Sequence, residues 1–310
     1  MNTLALPNKS TNVRINMSLG QRLGWWWLRL SSLVPARWSV RKATDLFATP
    51  FPGTRARALR ADLDGARLET LRSSELDLQL YCFGDPRLQP YVLCAHGWSS
   101  FGLRFRGWVQ ALRERGLAVV CFDMPGHGRS GGRHVTLPHF TRAVLAVGKQ
   151  LGPAAAAIGH SLGAAAIAQA AARGLRAQRL LLLAPAADPQ AALERFASHL
   201  KLGPAAAGAI QAEFERRLGE PMADYTAEAA APRLRMPTLV VHDLCDRDVP
   251  WSEGERFALA VEGARLLTVS GLGHHKVVDA PAVLNAGLAF LGGDADIGEH
   301  LQGAGTLRAW

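Results

Sequence analysis

The 310-residue sequence has no long apolar segment and little cysteine. No apolar run reaches the roughly 18 residues that a membrane-spanning helix requires. The four cysteines, Cys82, Cys94, Cys121 and Cys245, are widely spaced and form no C-x-x-C pair, which excludes a disulfide framework and a zinc ribbon. Three of them fall within predicted strands, so we expect all four to be buried, reduced thiols. This usage indicates a reducing compartment, and we expect a cytoplasmic protein.

Acidic residues are scarce in the first 60 positions. Residues 1–60 contain ten Lys or Arg and a single acid, Asp45, so this segment carries the whole net charge of +9. Subtracting these residues from the totals of 35 basic and 26 acidic side chains leaves 25 of each sign in the rest of the chain. Because no basic face recurs in this neutral body, we expect no nucleic-acid partner.

Residues 19–34 combine three consecutive tryptophans, Trp25, Trp26 and Trp27, with arginines. A helix over this segment could place tryptophan on one face and arginine on the other. Such a helix could pack on the protein's own core, which is the commoner use of an amphipathic helix. It could instead lie on an anionic membrane surface, as a peripheral contact at the inner face of the membrane. A targeting signal is the third alternative, although no A-x-A-like cleavage site follows the segment.

Short apolar runs alternate with helical stretches over most of the chain, which is typical of a mostly parallel sheet covered by helices on both faces. The predicted strands are 66–71, 76–83, 91–96, 117–123, 154–158, 179–184, 238–242 and 265–269. The predicted helices are 103–115, 137–151, 162–174, 252–262 and 280–291. Residues 186–236 break the alternation with helix-like sequence, and we expect them to form a small helical cap. The expected organisation is a basic segment (1–60), a catalytic domain (61–292) and a tail (293–310).

The pentapeptide Gly159-His-Ser-Leu-Gly163 is a G-x-S-x-G motif between a predicted strand and a predicted helix. This setting is the one that a nucleophile elbow requires, with a sharp turn that exposes the serine hydroxyl. Gly159 and Gly163 leave room for close backbone approach in that turn. Ser161 is therefore the candidate nucleophile, and the N–H of the next residue, Leu162, is a candidate oxyanion donor.

A serine nucleophile needs a histidine base, which is in turn oriented by a carboxylate, in the chain order Ser, acid, His. Three acid candidates, Asp243, Asp246 and Asp248, follow the seventh predicted strand, and two base candidates, His274 and His275, follow the eighth. Both loops leave the carboxyl ends of strands, where open α/β sheets bind their ligands. Residue types and order alone leave these alternatives open.

Four further polar residues, His96, Asp123, His127 and His160, follow or end predicted strands. Histidine and aspartate are good metal ligands, but no H-x-H or H-E-x-x-H spacing occurs among them. We therefore expect them to bond to loop backbone, and we expect neither a metal nor a cofactor.

Five motifs together resemble the α/β-hydrolase superfamily, over roughly residues 60–292. They are Cys94-Ala-His-Gly-Trp-Ser-Ser100, Phe122-Asp-Met-Pro-Gly-His-Gly-Arg-Ser130, Gly159-His-Ser-Leu-Gly163, Asp246-Arg-Asp-Val-Pro250 and Gly273-His274. Within the superfamily the chain is most similar to bacterial esterase and lysophospholipase-like serine hydrolases that carry a small helical cap. The resemblance implies an eight-stranded, mostly parallel sheet flanked by helices.

The resemblance also implies a role for each matched position. The family places its acid first in a D-x-x-V-P pattern, which selects Asp246, and its base directly after glycine, which selects His274. Its H-G-x element matches His96-Gly97-Trp98 and makes the Trp98 N–H the second oxyanion donor, beside Leu162. Asp248 would then pair with Arg247 or cap the following helix.

A serine at the elbow excludes the aspartate-nucleophile branches of this superfamily, so acyl transfer to water is the expected reaction. The cap and Trp98 favour a small-molecule ester with an apolar or lipid-like acyl group. A thioesterase, an acyltransferase or a perhydrolase could use the same triad. A ligand-binding receptor with residual hydrolysis is the alternative from another class.

Overall fold

The computed structural model describes residues 36–73, 75–203, 205–294 and 308–309. The alternatives for residues 19–34 lie outside these ranges. Within them, every helix is too short or too polar to cross a membrane.

A nine-stranded sheet forms the centre of the described chain. Its strands are β1 (Arg67–Arg72), β2 (Asp77–Phe83), β3 (Tyr91–Ala95), β4 (Ala118–Phe122), β5 (Ala156–His160), β6 (Leu180–Leu183), β7 (Thr238–Asp243), β8 (Arg265–Val269) and β9 (Arg308–Ala309). Their order across the sheet is β1-β2-β4-β3-β5-β6-β7-β8-β9. The six strands from β4 to β8 run parallel, whereas β1, β2 and β9 join the edges in antiparallel pairs.

The predicted α/β fold is confirmed, and all eight predicted strands are present. Two differences have local causes. β5 extends to His160, beyond the apolar run, because Gly159 and His160 pair with Leu182 and Leu183 of β6. The short β9 lies in the predicted tail and pairs with β8 through Arg308 and Ala309.

Eleven α-helices lie in the described ranges. They are α1 (Ala36–Phe47), α2 (Pro52–Arg60), α3 (Arg106–Glu114), α4 (Leu137–Leu151), α5 (Leu162–Ala172), α6 (Pro189–His199), α7 (Ala206–Leu218), α8 (Ala227–Ala230), α9 (Trp251–Ala260), α10 (Gly273–Lys276) and α11 (Pro281–Gly292). Short 3-10 turns occupy Gly102–Phe105, Met222–Tyr225 and Ala231–Arg233. The five predicted helices occur within a few residues of their expected bounds, and α1, α2 and α10 were not predicted.

The central strands are buried on both faces, which explains their continuous apolar sequences. Along β3, Leu93 and Ala95 face one core layer, and Val92 and Cys94 face the other. The first layer is closed mainly by α4, α5 and α9, and the second by α3 and α11. Side chains alternate between the faces because a strand repeats every two residues.

A third, smaller cluster joins the N-terminal helix α1 to the helices between β6 and β7. We call it the satellite cluster; its buried members are Ala43, Ala48, Leu193, Ile210 and Phe214. Phe47 packs edge-on against Phe196 and Phe214, with ring centroids 5.0 and 5.7 Å apart. Arg217 of α7 also pairs with Asp45 of α1 at 2.7 Å. Residues 36–47 are therefore packed onto the helical insertion.

The cysteine prediction is correct in three cases and wrong in one. Cys82, Cys94 and Cys121 are buried in strands, and all four cysteines are free thiols. Cys245 is exposed. It lies in the turn after β7, where the chain leaves the core, and not in a strand.

Candidate active site

The candidate site lies along the carboxyl edge of the parallel strands. Loops leave this edge after β3, β4, β5, β7 and β8, and each carries one of the motifs found in the sequence. Parallel strands bring their carboxyl ends to the same edge, so residues far apart in sequence meet there.

Ser161 occupies a strained turn between β5 and α5. Its φ of 56° and ψ of −124° lie in a region that non-glycine residues rarely adopt, at a cost of about 1–3 kcal/mol. The turn is tight enough that a Cβ on Gly163 would overlap the carbonyl oxygens of Ala95 and His96. On the opposite side a Cβ on Gly97 would lie 2.8 Å from the Ser161 Cβ. There is therefore no room for a side chain at either Gly97 or Gly163.

Asp246 and His274 are brought together by the loops after β7 and β8. Nδ1 of His274 lies 2.7 Å from Oδ2 of Asp246. The Asp246 side chain is fully buried, and His274 is 9% exposed. This contact requires a proton on Nδ1, which leaves Nε2 of neutral His274 as a lone-pair acceptor.

The Asp246 carboxylate is held by three further donors. Oδ1 accepts hydrogen bonds from the backbone N–H groups of Asp248 and Val249, each at 2.9 Å. Nε2 of the buried His242 lies 3.3 Å from Oδ2. Burial alone would raise the pKa of the Asp246 carboxyl, but hydrogen bonds from His242 and His274 outweigh it and hold this pKa below its usual value. Asp246 is therefore an anion at neutral pH.

The competing acids and the competing base have other partners. Both carboxylate oxygens of Asp243 accept backbone N–H groups, from Cys245 at 2.6 Å and Leu272 at 2.7 Å. Asp248 lies 3.4 Å from His275, whose side chain is 78% exposed. The expected partners of Asp248 were wrong: α9 begins after Pro250 without a side-chain cap, and the carboxylate faces His275.

Two side chains anchor the loop that carries His274. Nε2 of His160 lies 2.9 Å from the His274 carbonyl oxygen, and the two imidazole rings pack with centroids 4.7 Å apart. Arg104 donates to the carbonyl of His275 and pairs with Asp279. Because His160 directly precedes Ser161, its ring connects the serine turn to the histidine loop.

No hydrogen bond joins the Ser161 hydroxyl to another group in the described chain. In resting enzymes such contacts are often long and tighten only when substrate binds. The backbone N–H groups of Trp98 and Leu162 likewise have no acceptor within the described ranges. The Trp98 ring packs on Phe140 and His127, with centroids 6.3 and 5.3 Å away.

His96, Asp123, His127 and His160 bond to loop backbone, as expected. Nε2 of His96 accepts the Met124 N–H, and Nε2 of His127 accepts the Ser99 N–H. Burial lowers the pKa of His96 to about 4 and that of His127 to about 3, so both rings are neutral. The described residues contain no cluster of three His, Cys, Asp or Glu side chains arranged for a metal ion.

Sequence reasoning assigned no role to His242 or Ser99. His242 is the fifth residue of β7, four positions before Asp246, so its place at the same sheet edge was the available signal. Ser99 follows the candidate oxyanion donor Trp98, but its partners come from residues 51 and 54, which no motif connects to it.

The sequence of residues 92–286 matches the model of the alpha/beta hydrolase family. The match covers more than half of the chain, and the protein belongs to this family. Membership supports hydrolase activity and implies a small-molecule substrate. No curated protein matches the chain in sequence.

Solved structures show the same fold. A hydrolase from Pseudomonas aeruginosa PA01 is 25% identical, with a TM-score of 0.55 over 74% of this chain and 99% of that one. Est1E from Butyrivibrio proteoclasticus is 19% identical, with a TM-score of 0.58 over 73% and 98% of the two chains. The thioesterase domain from the curacin biosynthetic pathway is 19% identical, with a TM-score of 0.54 over 73% and 99%.

Proposed function

We propose that the protein is a serine hydrolase that cleaves carboxylic ester bonds of apolar acyl or lipid-like substrates. Ser161 is the nucleophile, His274 the general base and then acid, and Asp246 the carboxylate that orients His274. The observation that carries the proposal is the 2.7 Å bond between His274 and the buried Asp246 side chain, together with the packing of the His274 ring on His160, which directly precedes the strained Ser161.

The reaction follows from these positions. Nε2 of His274 accepts the Ser161 hydroxyl proton while Oγ attacks the ester carbonyl carbon. The resulting oxyanion accepts hydrogen bonds from the N–H groups of Trp98 and Leu162, the second of which begins a helix whose dipole favours negative charge. His274 then protonates the leaving alcohol, and an acyl group remains on Oγ. Water, deprotonated by His274, attacks the acyl carbonyl carbon, and His274 returns the proton to Oγ as the bond from Oγ to the acyl group breaks and the acid leaves.

The preference for apolar acyl groups is supported by the side chains beside the serine. Trp98 and Leu162 would supply the oxyanion donors, and both present partly buried apolar side chains that pack against the main core. The helical residues between β6 and β7, which we propose to form the cap, pack on α5 through α8. An acyl chain would gain about 0.8 kcal/mol for each methylene group that it buries among such side chains.

Hydrolysis of p-nitrophenyl esters from acetate to palmitate tests this proposal. We expect turnover by the wild type, with a chain-length optimum, and a loss of at least about a thousandfold in kcat for Ser161→Ala. Ser198→Ala is the matched control, because Ser198 is an exposed serine on α6. Equal activity of the Ser161→Ala variant and the wild type would exclude Ser161 as the nucleophile.

The same triad could act on a thioester, or transfer the acyl group to an acceptor other than water. Acyl thioesters of matched chain length, and product analysis with added alcohol or peroxide, separate these reactions. Single-turnover acylation with retained product would instead favour a receptor.

A further inference from the structure

Ser99 has an unusual backbone conformation next to the proposed oxyanion hole. Its φ is 51°, in the left-handed region that non-glycine residues avoid. Such a residue persists only where its surroundings hold it in place. Trp98, whose N–H we assign to the oxyanion hole, immediately precedes Ser99, so only the two backbone torsions of Trp98 separate the peptide group that carries this N–H from the peptide group that Ser99 anchors.

Three hydrogen bonds hold Ser99, and two of them come from the N-terminal part of the chain. Its hydroxyl accepts the N–H of Phe51 at 2.9 Å, and its carbonyl accepts the hydroxyl of Thr54 at 2.8 Å. Its own N–H donates to Nε2 of His127 at 3.0 Å. Thr54 is only 4% exposed, so water has little access to replace its hydroxyl.

Residues 48–55, which we call the clamp, are themselves fixed on the loop after β4. The carbonyl of Ala48 accepts the Val135 N–H at 2.9 Å. Arg55 donates to the carbonyl of Ser130 at 2.8 Å. On its N-terminal side the clamp continues into α1, which is packed in the satellite cluster. The clamp is therefore held at both ends and has little freedom to follow Ser99.

We propose that the clamp is a positioning element of the active site: through Thr54 and Phe51 it fixes Ser99 and so aims the Trp98 N–H at the oxyanion. The inference rests on the proposed function, because it needs Trp98 to be an oxyanion donor. The clamp precedes residues 92–286, which match the family model, so it is a feature of this chain outside that match.

The substitution Thr54→Val tests the clamp, because valine replaces the threonine hydroxyl with a methyl group of similar size. We expect kcat for p-nitrophenyl esters to fall about tenfold while KM changes less than about twofold, since oxyanion donors act on the transition state. Thr54→Ser keeps the hydroxyl and should restore kcat. Thr44→Val is the matched control: Thr44 is also buried, but within the described part of the chain its hydroxyl bonds only to Val40 of α1.

Hydrogen exchange of the same variants provides a readout that does not need turnover. We expect amides of residues 97–101 to exchange at least about tenfold faster in Thr54→Val than in Thr44→Val, because the loop loses an anchor. Equal exchange in these two variants, or equal kcat, would overturn the clamp. If the wild type lacks Ser161-dependent turnover, the ester hydrolase proposal fails, and the exchange comparison still decides whether the clamp holds the loop.

Discussion

At the scale of single residues, His242 contacts the triad that we propose through the Asp246 carboxylate. Its Nε2 lies 3.0 Å from the Val249 carbonyl and 3.3 Å from the Asp246 carboxylate, while its buried Nδ1 has no partner among the residues that the structure describes. A neutral ring with its proton on Nε2 leaves no N–H group unpaired, so this is the form that the surroundings favour. His242 therefore shares the Asp246 carboxylate with His274.

Replacing His242 by phenylalanine should lower kcat/KM about tenfold and move the acid limb of its pH profile upward by up to about one unit. The limb moves upward because, without the His242 donor, the Asp246 anion is less stabilised and attracts the proton on His274 more strongly. His242→Gln, which keeps an N–H donor near the Nε2 position, should retain the wild-type acid limb. Identical pH profiles for wild type and His242→Phe would show that His242 has no effect on the pair.

Some of the proposed residue roles could be predicted from the sequence, and others could not. Ser161, Asp246 and His274 were predicted because each occupies a motif with fixed spacing, and the structure places two of them in contact. The partners of Ser99 could not be predicted, since hydrogen bonds from residues 51 and 54 depend on how separate segments pack.

At the scale of elements, α1 and α2 were missed for a physical reason. Both are short, and their sequences are polar and contain several arginines, as is typical of exposed surface segments. Their stability comes from tertiary packing, in α1 through Phe47 and Ala43 on the satellite cluster. By contrast, α4 was predicted at its observed bounds, because its apolar residues recur at helical spacing and a proline lies in its first turn.

The satellite cluster should unfold separately from the catalytic body. Phe214→Ala removes a ring that is 3% exposed, at a cost of about 3–5 kcal/mol. Because Phe214 belongs to a cluster distinct from both faces of the sheet, we expect early proteolysis within residues 36–60 and 189–225. The thermal transition of the body should shift little. Phe257→Ala is the matched control in the main core and should lower that transition directly. A single transition lowered equally by both substitutions would contradict this.

At the scale of the whole molecule, sequence predicted the sheet well because its central strands are buried on both faces. Continuous apolar runs such as Leu180–Leu183 are typical of strands that are covered on both faces of a parallel sheet. The edge strand β9 escaped prediction, since its pairing with β8 is made by two residues of a polar tail. The alternation of apolar runs and helical stretches therefore predicted the fold. The pairing of the edge strand β9 could not be predicted, because it depends on contacts that leave no local sequence pattern.

Buried neutral histidines should make the whole molecule sensitive to acid. The pKa of His96 is lowered to about 4 and that of His127 to about 3 by burial, and burial also lowers the pKa of His160. Between the unfolded value of about 6.5 and these folded values, the unfolded chain binds protons that the folded chain does not. The free energy of unfolding should therefore fall as the pH drops from 6.5 towards 4.

His127→Gln tests this linkage, since glutamine does not titrate and can still accept the Ser99 N–H. Urea unfolding between pH 6.5 and 4.5 should show a loss of stability that is smaller than in the wild type by on the order of 1–3 kcal/mol. His134→Gln is the control, because His134 is exposed and should leave the wild-type slope intact. Asp123 also faces His127, and burial raises the pKa of this carboxyl, which opposes the histidine effect. Because Asp123 is unchanged in both proteins, the difference between them reports the histidine. If the free energy of unfolding falls equally with pH in His127→Gln and in the wild type, His127 makes no contribution.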